Sequence, residues 1–224
     1  MPGLIIPPIF DGFPVKAYFT TKSSPVESSR ITALLHANEV YFPVQKHTDT
    51  VIVADGGREP EIADAVVTDR KGLAVGVRVA DCVPVLLYDA QKQIVAAVHA
   101  GWRGTAADIL GKTVRFFSKR FGSLPEDILV AIGPSIKGSC YAVGSDVADA
   151  VAGAAATDSC ITAVGRDIYA DLPEANRLQA VNAGIAATNI WMSDECTHCL
   201  PDRFHSYRFS KTSAGRQSGI IVLD

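Results

Sequence analysis

His47, Cys82 and His99 are the side chains of this chain best suited to chemistry, because imidazole and thiolate serve both as metal ligands and as catalytic bases or nucleophiles. Each stands where an apolar run meets polar or glycine residues. His47 lies in Gln45-Lys46-His47-Thr48-Asp49-Thr50, just before Val51. Cys82 lies in Ala80-Asp81-Cys82-Val83-Pro84, between two strand-like runs, and His99 closes the run Ile94–Val98 ahead of Ala100-Gly101-Trp102-Arg103-Gly104. Sheet folds bring such strand ends to one edge, and strand-to-helix turns are where α/β proteins place ligands. Two imidazoles and one thiolate would form a three-ligand site with an open fourth position, the arrangement of a catalytic rather than a structural zinc. No local signature such as H-E-x-x-H announces that site, and Cys82 as a buried free thiol acting as a small hydrophobe is the alternative.

Other residues could bind anions or bases. Arg103, Arg208 and Arg216 are three candidate anion binders, since guanidinium makes bidentate contacts to phosphate or carboxylate; solvated surface arginines are the competing reading. Trp102 and Tyr207 stand beside the first two of them. Cys196-Thr197-His198-Cys199 is a C-x-x-C pair with an inserted histidine: half a metal site, a redox pair, or a loop carrying two thiols. No second pair accompanies it, and Cys140 and Cys160 read as structural.

The elements that must position these groups are legible from periodicity. Strand-like runs cover Val15–Thr20, Val51–Ala54, Leu73–Val79, Val83–Tyr88, Ile94–His99, Ile128–Ile132 and Gly219–Leu223. The strongest helix is expected over Thr105–Phe121, capped by Thr105 with Asp108 in its first turn, and with Ile109, Leu110, Thr113, Val114, Phe117 and Phe121 on one stripe. Further helices are expected over Ser145–Ala154 and Pro173–Ala183, the latter closed by Gly184. Strands in adjacent pairs with few helices suggest a mixed β-sheet core flanked by helices, in an α/β or α+β fold.

With 224 residues, no internal repeat and no evident linker, the chain reads as one domain over 1–224. A hydrophobic content of 48% with 20% charged residues is that of an ordinary globular protein. The net charge of −3 argues against nucleic-acid binding, which needs a basic excess. The stretch from Leu73 to Leu87 contains Arg78 and Asp81 and is too short to span a bilayer, so no membrane partner is expected. No signal peptide is evident, and the five cysteines have no disulfide-scaffold spacing, so reduced thiols in the cytoplasm are the simplest reading. Nothing in the sequence specifies an oligomer.

Taken in order, the motifs Gln45-Lys46-His47, Ala63-Asp64-Ala65-Val66-Val67-Thr68, Ala80-Asp81-Cys82-Val83-Pro84 and His99-Ala100-Gly101-Trp102-Arg103-Gly104 resemble the YfiH-like laccase-domain family. Ile132-Gly133-Pro134-Ser135-Ile136, Cys140-Tyr141-Ala142-Val143-Gly144, Cys196-Thr197, Ser206-Tyr207-Arg208 and Gly215-Arg216 continue the match to the end of the chain. The resemblance implies a domain with a central mixed sheet system and helices outside it, similar to the layered fold of a bacterial toxin deamidase. It also implies a zinc site at His47, Cys82 and His99. Members are associated with phosphorolysis of purine nucleosides and methylthioadenosine, with adenosine deamination and with peptidoglycan precursor editing; older labels call them polyphenol oxidases or laccases. The chain departs from the pattern at Lys46 and Thr48, where Val and Gly are usual, and at Phe209 and Ser210, where Arg and Asp usually follow the Ser-Tyr-Arg motif.

A multicopper oxidase needs several copper ions held largely by imidazoles, whereas this chain has five histidines in all. Copper could still occupy the His₂Cys set in place of zinc. A zinc enzyme of purine nucleosides and phosphate agrees better with the residues. Asp81, with Asp64 behind it, would move a proton, Arg103 or Arg208 would hold phosphate, and Trp102 or Tyr207 would stack on the purine. The second reading is a hydrolase or amidase in which Cys82 is the nucleophile and His99 its base. A metal-binding interaction module is a third.

Overall fold

A computed structural model describes residues 3–24, 28–57, 59–211 and 214–224. The first strands are β1 (Leu4–Ile5), β2 (Val15–Thr20), β3 (Glu39–Tyr41), β4 (Val51–Val53), β5 (Ala65–Thr68), β6 (Leu73–Val79) and β7 (Val83–Asp89). They continue with β8 (Ile94–Ala100), β9 (Ile128–Ile132), β10 (Ala142–Val143), β11 (Ile161–Val164), β12 (Asp167–Ala170), β13 (Ile190–Met192) and β14 (Gln217–Leu223). The helices are α1 (Ser28–Leu35), α2 (Trp102–Ala106), α3 (Ile109–Phe121), α4 (Ser145–Ala155), α5 (Leu172–Asn182) and α6 (Tyr207–Ser210).

The strands form a six-stranded sheet in the order β13-β9-β7-β8-β5-β4, a five-stranded sheet β1-β2-β14-β6-β3, and a small antiparallel sheet β10-β12-β11. Both large sheets are mixed: antiparallel at the centre, with parallel pairs β13/β9, β4/β5 and β3/β6 at their edges. The alternation of side chains along each strand explains how they stack. Val66, Leu86, Tyr88, Val95 and Ala97 point from the six-stranded sheet onto Ala17, Phe19, Val75, Val77 and Ile221 of the five-stranded one. Their neighbours Ala65, Val67, Val85, Leu87, Ala96 and Val98 face the other way, onto Ile109, Val114 and Phe117 of α3, Val151 of α4 and Ala175 of α5. Outside the five-stranded sheet, Ile31 and Leu35 of α1 cover Ala74, Ile220 and Val222. Because β7 and β8 are covered on both faces, every residue in them is buried, which is why they read as continuous apolar runs.

The layered mixed-sheet fold flanked by helices is the one the sequence implies, and β2, β6 and β9 have the expected bounds. The helix expected over Thr105–Phe121 is in fact two. Asp108 adopts a left-handed conformation (φ 55°) that ends one helix and starts the next, a geometry that Asp tolerates better than most residues. Thr105 is no cap. It is buried inside α2, where its hydroxyl accepts a hydrogen bond from Asn176 Nδ2 (3.0 Å) and its carbonyl one from Gln179 Nε2 (2.7 Å). These two bonds lash α2 to α5. The short strands β1, β3, β5 and β10 to β13 are not evident from periodicity, since runs of two to four residues carry almost no periodic signal; the eight-residue helix α1 is a further element that the sequence reading lacks. No described helix is long and apolar enough to cross a membrane.

Candidate active site

Register brings the three key residues together. β5 pairs with β8 so that Ala65 lies opposite Val98, which sets Asp64 beside His99; the His99 amide donates to the Asp64 carbonyl (2.7 Å). β7 pairs with β8 so that Val83 lies opposite Ala100, which sets Cys82 at the end of β8. β4 begins opposite Ala65, so the segment before it delivers His47 to the same edge. The donor atoms of His47, Cys82 and His99 all lie within 4.8 Å of one another, and the two imidazole rings stand edge to face at 4.9 Å between centroids. Gly101 makes room for them. A Cβ at that position would lie 3.0 Å from His47 Cδ2 and 3.1 Å from Cys82 Sγ.

Asp64 organises this cluster. Its carboxylate is fully buried and accepts the amides of Lys46 (3.2 Å), His47 (3.1 Å) and Thr48 (2.6 Å), the Thr48 hydroxyl (2.8 Å), and His99 Nδ1 (2.6 Å). One anion therefore fixes the left-handed backbone of His47 (φ 57°) and the ring orientation of His99, leaving His99 Nε2 to face Cys82. Burial pushes the Asp64 carboxyl up, but His99 and Thr48 outweigh it and hold the group at about 2. Burial likewise opposes charge on His99, yet Asp64 and Cys82 raise it to about 9. For Cys82 burial again raises the thiol, and the two imidazoles more than offset that, bringing it down to about 6. Without metal the cluster is thus a Cys82 thiolate beside His47 and a protonated His99, whose far nitrogen is locked by the Asp64 carboxylate. That is how metal-binding histidines are generally oriented.

The three residues form the floor of a cavity of about 850 Å³, within the range of small-molecule sites. Four arginines line it, and three are stacked on an aromatic ring: Arg78 over Phe42 (4.3 Å), Arg103 over Trp102 (4.4 Å) and Arg208 over Tyr141 (4.9 Å). Arg208 also donates to the Ala142 carbonyl (3.1 Å), and Arg78 is held through its backbone by the Gln45 amide, which both accepts and donates at 2.8 Å. Trp102, Arg103, Tyr207, Arg208 and Arg216 all line the cavity. Tyr207 and Arg216 are exposed at its rim, and the Arg216 guanidinium folds back onto the carbonyls of Ala214 and Gly215 (2.8 Å each).

Asp81 lines the cavity too, but both its oxygens are engaged. Oδ1 accepts the Thr197 hydroxyl (2.7 Å) and Oδ2 the Arg208 amide (2.6 Å), while its carbonyl accepts the Ile136 amide (3.0 Å). These bonds hold Asp81 at a positive φ of 83° and so aim the adjacent Cys82. Arg78, Phe42 and Tyr141 are cavity residues to which the sequence alone gives no role. The one signal for Arg78 is a cation inside the apolar run Val77-Arg78-Val79, that for Tyr141 is its place in the motif Cys140-Tyr141-Ala142-Val143-Gly144, and Phe42 carries none.

Fold and site together define a mixed-sheet α/β protein with a thiolate–imidazole centre beneath an arginine-walled pocket. The chain belongs to the family described as multi-copper polyphenol oxidoreductase laccase, whose model matches residues 20–224. It is 36% identical over 188 residues to a purine nucleoside phosphorylase of Clostridium acetobutylicum, covering 84% of this chain and 78% of that one. An adenosine deaminase, RL5, from an unknown prokaryotic organism is 37% identical over 193 residues, covering 80% and 73% respectively. The crystal structure of the hypothetical protein YfiH from Bacillus licheniformis superposes with a TM-score of 0.90 at 28% identity, covering 100% of this chain and 97% of that one. The copper in the family description is not matched by a multicopper donor set: among the described residues only His47 and His99, of five histidines, enter a metal-competent cluster.

Proposed function

We propose that this protein is a zinc-dependent enzyme of purine nucleosides that transfers the ribosyl group of adenosine, inosine or methylthioadenosine to phosphate and also deaminates adenosine. His47, Cys82 and His99 would hold the zinc, with copper as a possible substitute. The donor set fits: two imidazoles and a thiolate converge, Gly101 clears the space, and Asp64 presets the His99 tautomer. When bound, zinc supplies a Lewis acid at the reacting atoms.

The rest of the work falls to the chain's own residues. Arg208, Arg103 and Arg78 are kept extended by the rings beneath them, so phosphate meets donors that lose little freedom on binding. In phosphorolysis a phosphate oxygen forms the bond to the anomeric carbon as the bond to the purine nitrogen breaks, and the base leaves with a proton. Trp102, Tyr141 and Tyr207 offer faces and edges for the purine. Burial raises the Tyr141 hydroxyl, which keeps it protonated and able to donate a hydrogen bond. Asp81, with both oxygens occupied, acts by positioning Cys82 and Arg208. A Cys82 that must stay reduced to work supports a reducing, cytoplasmic setting.

The observation that carries this reading is the convergence of His47, Cys82 and His99 on the floor of an arginine-walled cavity; the names of the relatives add the substrate class. The test is turnover of adenosine and inosine with phosphate, on protein of known zinc content, beside Cys82→Ala. Hypoxanthine and ribose 1-phosphate should appear only with intact, metal-loaded protein. Untouched purines from zinc-loaded protein would refute the reading. The low Cys82 thiol beside His99 favours one second reading, a Cys–His hydrolase or amidase acting on peptidoglycan precursors. Such an enzyme would keep full activity after chelation, whereas the zinc enzyme would lose it.

A further inference from the structure

Three cysteines have no part in the centre described above. Cys140 ends a turn over Gly138–Cys140, just before Tyr141 and β10, and after β13 Cys196 bridges Ser135 while Cys199 lies in the turn that follows. From sequence the Cys196/Cys199 pair lacked a partner and Cys140 looked merely structural. The fold brings them together. Their three sulfurs lie within 4.8 Å of one another, with Cys140 Sγ 3.2 Å from Cys199 Sγ across 59 residues of chain.

A second observation concerns the environment of Cys196. The backbone pins it: Cys196 forms an isolated parallel bridge with Ser135, and the Thr197 amide donates to the Ser135 carbonyl (3.1 Å). The Leu200 amide closes the turn from Cys196 to Cys199 onto the Cys196 carbonyl (3.1 Å). Cys196 is buried at the base of the cluster while Cys199 is exposed, so the sulfurs form a shallow cup open to solvent.

We propose that Cys140, Cys196 and Cys199 form a second metal site, separate from His47, Cys82 and His99, that takes a thiophilic divalent cation such as zinc through three thiolates with solvent at the fourth position. As each sulfur–metal bond forms, any thiol proton still present passes to solvent; no electron moves. The choice of a soft cation follows from the all-sulfur donor set. Three convergent sulfurs, rather than two, favour a metal over a disulfide.

The site would matter to the pocket. It ties the segment carrying Tyr141 and Ala142, which support Arg208, to the segment carrying Thr197, which bonds Asp81. Filling it would stiffen the cavity wall opposite the His₂Cys floor.

The test uses the full chain, purified reduced and loaded with zinc or cobalt(II), with metal counted by native mass spectrometry. The wild type should hold about two ions, and Cys82→Ala, Cys140→Ser and Cys199→Ser about one each. The Cys82→Ala/Cys199→Ser double variant should hold none. In Cys82→Ala, cobalt(II) should give thiolate-to-metal charge-transfer absorption that disappears when Cys199→Ser is added; Cys199 is exposed, so a thermal melt should confirm that this variant folds. If Cys82→Ala takes up no metal and shows no such absorption, the second site does not exist, and the purine-nucleoside reading is untouched. A Cys140–Cys199 disulfide found by peptide mass in freshly isolated protein, with no cobalt uptake after reduction, would equally overturn the proposal.

Discussion

Replacing Asp64 by Asn tests whether one buried carboxylate assembles the metal centre. The shape is preserved, but one oxygen becomes an NH₂ donor. If the amide nitrogen takes the Oδ2 position it faces the N–H groups of Lys46 and Thr48 and the Thr48 hydroxyl; if it takes the Oδ1 position it faces His47 N–H and His99 Nδ1. Either way at least two of the hydrogen bonds are lost. At about 1.5–3 kcal/mol for each bond to a charged group, the folded protein should lose about 3–6 kcal/mol. Part of that loss falls on metal binding, because the loop bearing His47 loosens and His99 loses its anionic partner. Removing such a partner weakens metal affinity by about 10–100-fold. The assay is competition against a chromophoric zinc chelator, with Cys82→Ala as the ligand-deletion control and a denaturant melt for stability. Should Asp64→Asn bind zinc as tightly as the wild type while Cys82→Ala does not, Asp64 has no part in orienting the ligands.

Gly101→Ala places a methyl against the His47 ring and the Cys82 sulfur, and with φ at −75° the backbone itself is unstrained. Zinc affinity and turnover should fall about tenfold or more while the melt barely moves; unchanged zinc binding would mean that the two ligands are not held as described. Arg208→Ala keeps the backbone amide that bonds Asp81 but removes the guanidinium, so KM for phosphate should rise about tenfold or more, from about 1.5–3 kcal/mol of lost charged hydrogen bonding, with Lys at 208 only partly restoring it. An unaltered phosphate KM would remove Arg208 from the binding site. The Asp64 carboxyl sits at about 2, below its ordinary 3.8, so its contribution is fully present above pH 3.8 and is lost as pH falls through about 2. Metal-free wild type should therefore shed about 2 kcal/mol across that window, measured by urea melts, and Asp64→Asn should lack that loss. Parallel pH profiles for the two proteins would contradict the assignment.

Much of this protein is determined by local sequence. β2, β6 and β9 are visible because long apolar runs with few alternatives declare themselves, and the apolar stripe of α3 does so through its 3.6-residue period. The candidate ligands are also legible one at a time, since His and Cys at the ends of apolar runs are conspicuous. Their assembly depended on register. Nothing local to Asp64 says that it lies beside His99, yet pairing Ala65 with Val98 makes that contact unavoidable and turns an ordinary aspartate into the anchor of the site. Arg78 became a wall residue only because β6 carries it past Phe42, and Cys140 joined Cys196 and Cys199 only through contacts spanning more than fifty residues. The break at Asp108 was hidden for a related reason: an Asp fits a helical period well enough, and the bonds of Asn176 and Gln179 that fix α2 come from elsewhere in the chain. Sequence sets which residues can be ligands and which segments must be buried, because those depend on chemical type and short-range period. Tertiary structure alone decided which of them meet, because strand pairing is a long-range choice that a residue's immediate neighbours do not encode.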